Sequence, residues 1–256
     1  MSSSNAVFNT YGKYYDLLYQ DKDYDGETAY ISAILNRHGV TVGDLLELGS
    51  GTGKHGCLLA KRGYTVFGIE RSAEMVALAP KLSGFRCQQA DICSFNLGRT
   101  YDAVISLFHV LSYQIKNDQL NAVFANAALH LNAGGLFVFD MWYSPAVCAQ
   151  RPEVRVKRMT DDTVEITRIA EPKIYPNENR VDVSYTIYAR NLATGVVDIM
   201  QETHPMRHFS LPEIETLADI HDFEMFGAEE FMSGKNPSEG TWGVCVVFKK
   251  KGSLND

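Results

Sequence analysis

The chain has 256 residues, 45% of them hydrophobic, and a formal net charge of −7 at pH 7, which argues against a nucleic-acid groove or an anionic membrane surface as partner. It contains no run near the ~18 apolar residues of a membrane span and no signal peptide at its N-terminus, so we expect a cytoplasmic protein. Five scattered cysteines without a C-x-x-C pair suggest neither a metal nor a disulfide framework.

The first predicted element is a tyrosine-rich segment followed by a helix near 26–38. The segment includes Tyr15-Asp-Leu-Leu-Tyr19, and the helix has Ile31, Ile34 and Leu35 on one face. These tyrosines either pack as a cap on the fold or face a ligand, and the residues leave both alternatives open.

A glycine loop comes next, and the rest of the chain is organised around it. A short apolar run that contains Glu47 predicts a buried strand, and glycine then occupies every second position: Gly49, Gly51 and Gly53. A dinucleotide-binding loop would have its third glycine at position 54, which is Lys54. A P-loop is excluded because no G-K-[ST] closes the loop. The N-terminus of the following helix supplies unpaired N–H groups to a ligand.

Two further predicted strands end in acidic side chains. The strand over 64–69 ends at Glu70, which lies 21 residues past Gly49. A carboxylate at that spacing can accept hydrogen bonds from both hydroxyls of a ribose. The strand over 85–90 ends at Asp91, which is either a solvent-exposed loop acid or a second ligand-binding group.

The fourth and fifth predicted strands, over 101–108 and 136–139, end at His109 and Asp140. Strands and helices alternate to this point, so the sheet should be parallel and doubly wound. Ligands in such sheets bind beyond the carboxyl ends of the strands. The residues at those ends are Glu47, Glu70, Asp91, His109 and Asp140.

The pattern changes near residue 152 to a two-residue alternation, clearest over 181–190, which predicts an antiparallel meander. A capping box at Ser210-Leu-Pro-Glu213 opens a further helix, and a final strand pair follows it. We therefore predict an α/β fold with a Rossmann-like seven-stranded sheet and a C-terminal antiparallel hairpin. Residues 1–150 and 208–256 form this core, with a helical cap over 1–40. Residues 151–207 form a β insert that is a substrate lid or a dimer surface.

The loop Glu47-Leu-Gly-Ser-Gly-Thr-Gly53 resembles the first motif of class I S-adenosylmethionine (SAM) methyltransferases, and the closing hairpin is similar to theirs. Within that class, Tyr15-Asp-Leu-Leu-Tyr19, Phe139-Asp-Met-Trp-Tyr-Ser-Pro145 and the insert resemble N-methyltransferases of nucleotide-linked amino-deoxysugars. This resemblance implies SAM as cofactor, S-adenosylhomocysteine (SAH) as product, a small-molecule acceptor, and a homodimer as one option.

The resemblance also implies roles for individual residues. The residues expected to bind the cofactor are Tyr15, Glu47, Gly49, Gly51, Gly53, Glu70, Arg71, Met75, Asp91, Ile92 and Leu107. Those expected to bind the acceptor are Tyr19, Tyr113, Trp142 and Tyr143. The candidates for catalysis are His109 and Tyr19, and His109 is the best placed of the histidines to act as a base.

Three alternatives stay open from the sequence. An amine acceptor needs only to arrive neutral, whereas a hydroxyl acceptor needs a base such as His109. The fourth strand lacks the [DN]-P-P-[YFW] motif of DNA and protein amine methylation, which favours a small molecule. A non-catalytic SAM-binding protein would keep the same loop, and a dehydrogenase is the least favoured alternative.

Overall fold

The computed structural model describes residues 14–252, which fold into two compact units. The larger unit comprises residues 23–150 and 208–252, and the smaller one comprises residues 14–22 and 151–207. The predicted helical cap over 1–40 therefore lies partly outside the described residues.

The elements are numbered in chain order. The helices are α1 (Tyr15–Leu18), α2 (Tyr24–Arg37), α3 (Lys54–Lys61), α4 (Ala73–Leu78), α5 (Asn117–Leu129), α6 (Ser144–Gln150) and α7 (Leu211–Ile220). The strands are β1 (Gly43–Leu48), β2 (Tyr64–Glu70), β3 (Phe85–Gln89), β4 (Tyr101–Ser106), β5 (Leu131–Trp142), β6 (Arg155–Thr160), β7 (Val164–Tyr175), β8 (Arg180–Asn191), β9 (Val197–Arg207), β10 (Phe223–Glu230) and β11 (Gly243–Lys250).

The larger unit is built on a seven-stranded sheet in the order β10-β11-β5-β4-β1-β2-β3. Strands β1 to β5 pair in parallel, and β11 is antiparallel to both β5 and β10. Leu45, Leu46 and Val104 are fully buried in the central strands because helices and loops cover both faces. The predicted α/β fold with its C-terminal hairpin is confirmed.

Apolar side chains fill both sides of this sheet. On one side, aromatic rings from α5 and the last strands contact each other edge to face, as Phe124 does with Phe137 and Phe223. On the other side, Ile31, Ile34 and Leu35 of α2 pack against the strands. Their spacing along the sequence is that of one helix face, as predicted.

Several local details differ from what the sequence predicts. The expected alternation of strands and helices is interrupted, because no helix joins β3 to β4 within the described residues, and the sequence pattern does not predict α6. Strand β5 begins at Leu131, ahead of the predicted strand over 136–139, because α5 ends at Leu129 and His130 caps it. The Ser210 side chain makes no capping hydrogen bond, although it occupies the N-cap position of α7.

The smaller unit is a four-stranded antiparallel sheet in the order β6-β7-β8-β9, with α1 beside it. One face buries Leu18 of α1 against Ile166 and Ile187. The opposite face leaves Tyr188 and Ile199, which are register partners, exposed to solvent. None of the helices in residues 14–252 is long and apolar enough to cross a membrane.

Candidate functional site

The glycine loop connects β1 to α3 and has a left-handed backbone at each of its glycines, with φ of 71° at Gly49, 54° at Gly51 and 79° at Gly53. A Cβ atom at Gly49 would lie 2.6 Å from the Val110 side chain, and one at Gly53 would lie 2.5 Å from the Phe85 ring. At Gly51 the nearest atom within 4 Å is Met75 Sδ, at 3.9 Å. The loop is therefore packed by the protein at both ends and has open space at its middle glycine.

Glu70 holds the middle of this loop. Its Oε2 accepts a hydrogen bond from the Gly51 N–H at 3.0 Å, and its Oε1 accepts one from the Ser72 N–H at 2.8 Å. The Ser72 hydroxyl in turn accepts a hydrogen bond from the N–H of Met75 and so caps α4. The Met75 side chain is buried, whereas the side chain of Arg71, which lies between Glu70 and Ser72 in the chain, is exposed. Each carboxylate oxygen keeps a further lone pair for a ligand hydroxyl.

Glu47 is a buried carboxylate directly before the loop. Burial, and then the nearby charge of Glu70, raise its pKa to about 8, and the N–H of Gly56 opposes that shift. Its Oε2 has no hydrogen-bond partner among the described residues. A buried carboxylate oxygen without a hydrogen-bond partner is the kind of group that a cationic ligand satisfies.

The other predicted cofactor residues differ in exposure. Asp91 is exposed, and its Oδ1 accepts a hydrogen bond from the Cys93 N–H at 2.8 Å. Ile92 and Leu107 are buried and pack into the apolar clusters on the two sides of the sheet. The loop, Glu70 and Asp91 all follow the carboxyl ends of β1, β2 and β3, so the topology brings them to one edge.

His109 and Asp140 form a close pair at the same edge. His109 Nδ1 lies 2.7 Å from Asp140 Oδ2, and the His109 backbone N–H donates to Asp140 Oδ1 at 3.0 Å. Phe108 and His109 both adopt left-handed φ angles, 66° and 60°, a strained arrangement typical of functional sites. The contact of the buried Nδ1 atom with Asp140 Oδ2 is short but does not meet the geometry of a hydrogen bond, so the backbone N–H hydrogen bond is the one that joins the two residues.

Aromatic rings lie beside this pair. The Trp142 ring meets the His109 ring edge to face at 6.2 Å and the Trp242 ring at 5.6 Å. Tyr143 packs against the aromatic side of the core, and Tyr113 is half-buried at the end of a 3-10 turn, Val110–Tyr113.

The sequence places Asp140 at the ligand-binding ends of the strands, as an acid directly after an apolar run, but assigns it no role. It does not single out Trp242. Trp242 reaches Trp142 only because β11 pairs with β5.

The N-terminal tyrosines belong to the smaller unit. Tyr15 lies in α1, and its side chain is outside the described part of the chain. The hydroxyl of Tyr19 accepts a hydrogen bond from Arg168 Nη1 at 3.4 Å, and the guanidinium lies 5.7 Å from the centre of the tyrosine ring. The predicted contact of either tyrosine with a ligand stays a prediction.

Four other histidines that could act as a base, His130, His221, His208 and His204, have neighbours elsewhere in the structure. His130 accepts the Leu97 N–H at Nε2 and bonds the Asn126 carbonyl through Nδ1. His221 bonds the Asn121 side chain, and burial lowers its pKa. His208 bonds Ser144, and His204 lies in the smaller unit beside Tyr185. In the described ranges, no three His, Cys, Asp or Glu side chains are grouped to hold a metal.

Comparison with known proteins gives concordant matches. Residues 45–135 match the model of a methyltransferase domain family. A dTDP-3-amino-3,4,6-trideoxy-alpha-D-glucopyranose N,N-dimethyltransferase of Streptomyces venezuelae is 30% identical over 220 residues, covering 85% of this chain and 84% of the relative. A dTDP-3-amino-3,6-dideoxy-alpha-D-glucopyranose N,N-dimethyltransferase of Streptomyces fradiae is 29% identical over 176 residues, covering 68% and 69%.

The fold has a close match among solved structures. A SAM-dependent methyltransferase from Clostridium acetobutylicum superposes with a TM-score of 0.80 at 22% identity, covering 95% of this chain and 100% of that one. At that identity the match concerns the fold alone.

Proposed function

Since the chain belongs to the class I SAM-dependent methyltransferases, we propose that its acceptor is the amine of an amino sugar carried on a nucleotide. The observation that carries this proposal is the 30% identity to an amino-sugar N,N-dimethyltransferase over 85% of the chain, far beyond the matched domain at 45–135. The acidic net charge of −7 also favours a small acceptor over a nucleic acid.

SAM is the cofactor, and the larger unit offers a site with suitable chemistry. We assign the open space at Gly51 and the unsatisfied Oε2 of Glu47 to it, since SAM carries cationic groups. Glu70 has free lone pairs for the ribose hydroxyls, and Asp91 has a carboxylate oxygen for the adenine amino group. Arg71, Met75, Ile92 and Leu107 complete the predicted site as apolar or flanking groups.

SAM supplies a methyl group that is already activated by a positively charged sulfur. The protein mainly has to hold the acceptor lone pair in line with that methyl, so most of the rate enhancement comes from positioning. An amine attacks as the neutral base, and the methylated product is an ammonium ion. We propose that His109 Nε2 accepts the proton that this ammonium ion releases, and that Asp140 stabilises the resulting imidazolium.

The same pair favours a second candidate function. A histidine whose Nδ1 lies 2.7 Å from a buried carboxylate is also the arrangement that deprotonates a hydroxyl acceptor. We therefore keep O-methylation of a small molecule as the alternative. The rings of Trp142 and Trp242 would stack on a sugar or a base in either case.

Nucleotide-linked sugars and isotope-labelled SAM test the proposal. The panel pairs each amino sugar with the otherwise identical hydroxy sugar, and mass spectrometry identifies the methylated atom. We expect methyl transfer to the amine only. Transfer to the hydroxy sugar establishes the alternative, and binding of SAM without transfer to any member of the panel contradicts both.

For the insert at 151–207 we propose a role as a substrate lid or as the surface of a homodimer. Exposed Val156, Tyr188 and Ile199 on one sheet face favour the dimer. Light scattering measures the molar mass of the wild type and of Ile199→Asp. A dimeric wild type and a monomeric variant would support the dimer surface, whereas a monomeric wild type would favour the role as a substrate lid. A cytoplasmic location remains a prediction from composition.

A further inference from the structure

A row of polar side chains runs from Asp140 across the adjoining strands of the sheet. Asp140 of β5 is the register partner of Cys245 in β11, and Cys245 is the register partner of Glu229 in β10. Directly opposite residues in antiparallel strands lie about 4.5–5.5 Å apart on the same face. The same face is otherwise apolar there, lined by Leu136, Val138 and Val247.

Tyr30 of α2 lies over this row. Its neighbours include Cys245 and Glu229, and burial together with these groups raises the pKa of the Tyr30 hydroxyl. Burial likewise raises the pKa of the Cys245 thiol. Both groups therefore stay protonated and can act as hydrogen-bond donors.

Two atoms of this cluster are buried without a partner among the described residues. They are the Tyr30 hydroxyl and Glu229 Oε1, which are neighbours but do not meet the geometry of a direct hydrogen bond. Glu229 Oε2 instead pairs with Arg37 Nη1 at 2.9 Å, where the row reaches the surface. Leaving a buried polar atom unsatisfied costs about 1–3 kcal/mol, and a water molecule with two to four polar partners removes that cost.

We propose that a buried water molecule bridges Tyr30 and Glu229, and that this row from Arg37 to Cys245 positions Asp140 and thereby the His109 imidazole. Tyr30, Cys245 and Glu229 are then positioning residues that touch neither cofactor nor acceptor. The proposal rests on the proposed function only for its kinetic readout, because the orientation and titration of His109 can be measured without any substrate.

The test follows the His109 imidazole by NMR in protein with isotope-labelled histidine, with His109→Gln to assign its signals. The titratable and charged groups on this path are Asp140, Cys245, Tyr30, Glu229 and Arg37. In Tyr30→Phe and Glu229→Gln we expect the midpoint of the His109 titration to move by about 0.3–1 pH unit, the equivalent of one hydrogen bond. The turnover number should fall about three- to tenfold, with the SAM dissociation constant within about twofold of wild type.

Matched variants separate positioning from general packing. Val247→Ala removes apolar volume from the same strand and face as Cys245 and should leave the His109 titration unchanged. Cys245→Ser keeps a donor and should stay closer to wild type than Cys245→Ala does.

An unchanged His109 titration in folded Glu229→Gln and Tyr30→Phe overturns the proposal, and so does an equal shift in Val247→Ala. If His109→Gln keeps full activity, the role of His109 in the proposed function fails, while the titration still reports whether the row reaches the imidazole.

Discussion

The backbone N–H of Gly51 donates a hydrogen bond to Glu70 Oε2 at 3.0 Å, which links the glycine loop to the end of strand β2. The Ser72 N–H occupies the other oxygen of the same carboxylate. One side chain thus shapes the loop and presents its remaining lone pairs beside it. Substitutions of Gly51 or Glu70 should therefore weaken cofactor binding more than they lower the stability of the fold.

Glu70→Ala should weaken SAM and SAH binding at least about tenfold, because a hydrogen bond to a charged group contributes about 1.5–3 kcal/mol. Gly51→Val should weaken both at least about tenfold as well, because the new side chain would occupy the open space at Gly51. Isothermal titration calorimetry measures both ligands in parallel. Glu74→Ala, which removes an exposed acid in the first turn of α4, is the control and should bind like wild type. Wild-type affinity in both test variants would remove the loop from the cofactor site.

The three loop glycines should respond differently to alanine when unfolding is measured without cofactor. All have positive φ, which costs an L-residue about 1–2 kcal/mol. At Gly49 and Gly53 the new Cβ would also meet Val110 and Phe85 within 2.6 Å, so these variants should unfold at clearly lower temperature than Gly51→Ala. Equal losses at all three positions would contradict the open space at Gly51.

Glu47 should make the cofactor-free protein less stable as pH rises. Its pKa is about 8 in the folded chain, against an ordinary value of 4.5, so the folded state binds the proton more tightly. The resulting stabilisation is fully present below about pH 4.5 and is lost as pH rises through about 8. Thermal unfolding of wild type and Glu47→Gln between these values measures it. Glu47→Gln should lose this part of the pH dependence. A variant whose stability varies with pH as the wild type does would show that another group binds the proton.

His109→Gln and Asp140→Asn should lower turnover with an unchanged SAM dissociation constant, since a general base contributes typically about 10²–10⁴-fold. The larger loss is expected if the acceptor is a hydroxyl, because a neutral amine already has its lone pair free. Steady-state kinetics with labelled SAM measures this, with His221→Gln as the control histidine. Normal turnover in His109→Gln would show that positioning alone suffices.

Trp142→Ala and Trp242→Ala should raise the KM of the acceptor while SAM affinity stays near wild type. The two rings contact each other and leave part of their surface exposed next to His109, so we assign them to the acceptor. Tyr143→Phe tests whether the neighbouring Tyr143, whose ring packs against the aromatic core, also binds the acceptor through its hydroxyl. A change in SAM affinity without a change in KM would reassign the rings to the cofactor.

The sequence by itself determined most of the order of strands and helices, the glycine loop and the acids at the ends of successive strands. These are local properties: apolar periodicity fixes an element, and glycine spacing fixes where a backbone can take left-handed angles. The loop glycines, Glu70 and Asp91 are predicted as cofactor residues in this way because they lie at or just after the ends of strands. The sequence does not fix the boundaries of elements, such as the start of strand β5 at Leu131, because a buried leucine suits either a helix or a strand.

Only the tertiary structure decided which distant residues meet. Asp140 becomes the partner of His109, and Trp242 the neighbour of Trp142, because strand pairing joins segments far apart in the chain. The row from Asp140 through Cys245 to Glu229 depends on the register of three strands, and a slip of one residue would turn each side chain to the other face. Register is set by packing of the whole core, so no local pattern contains it.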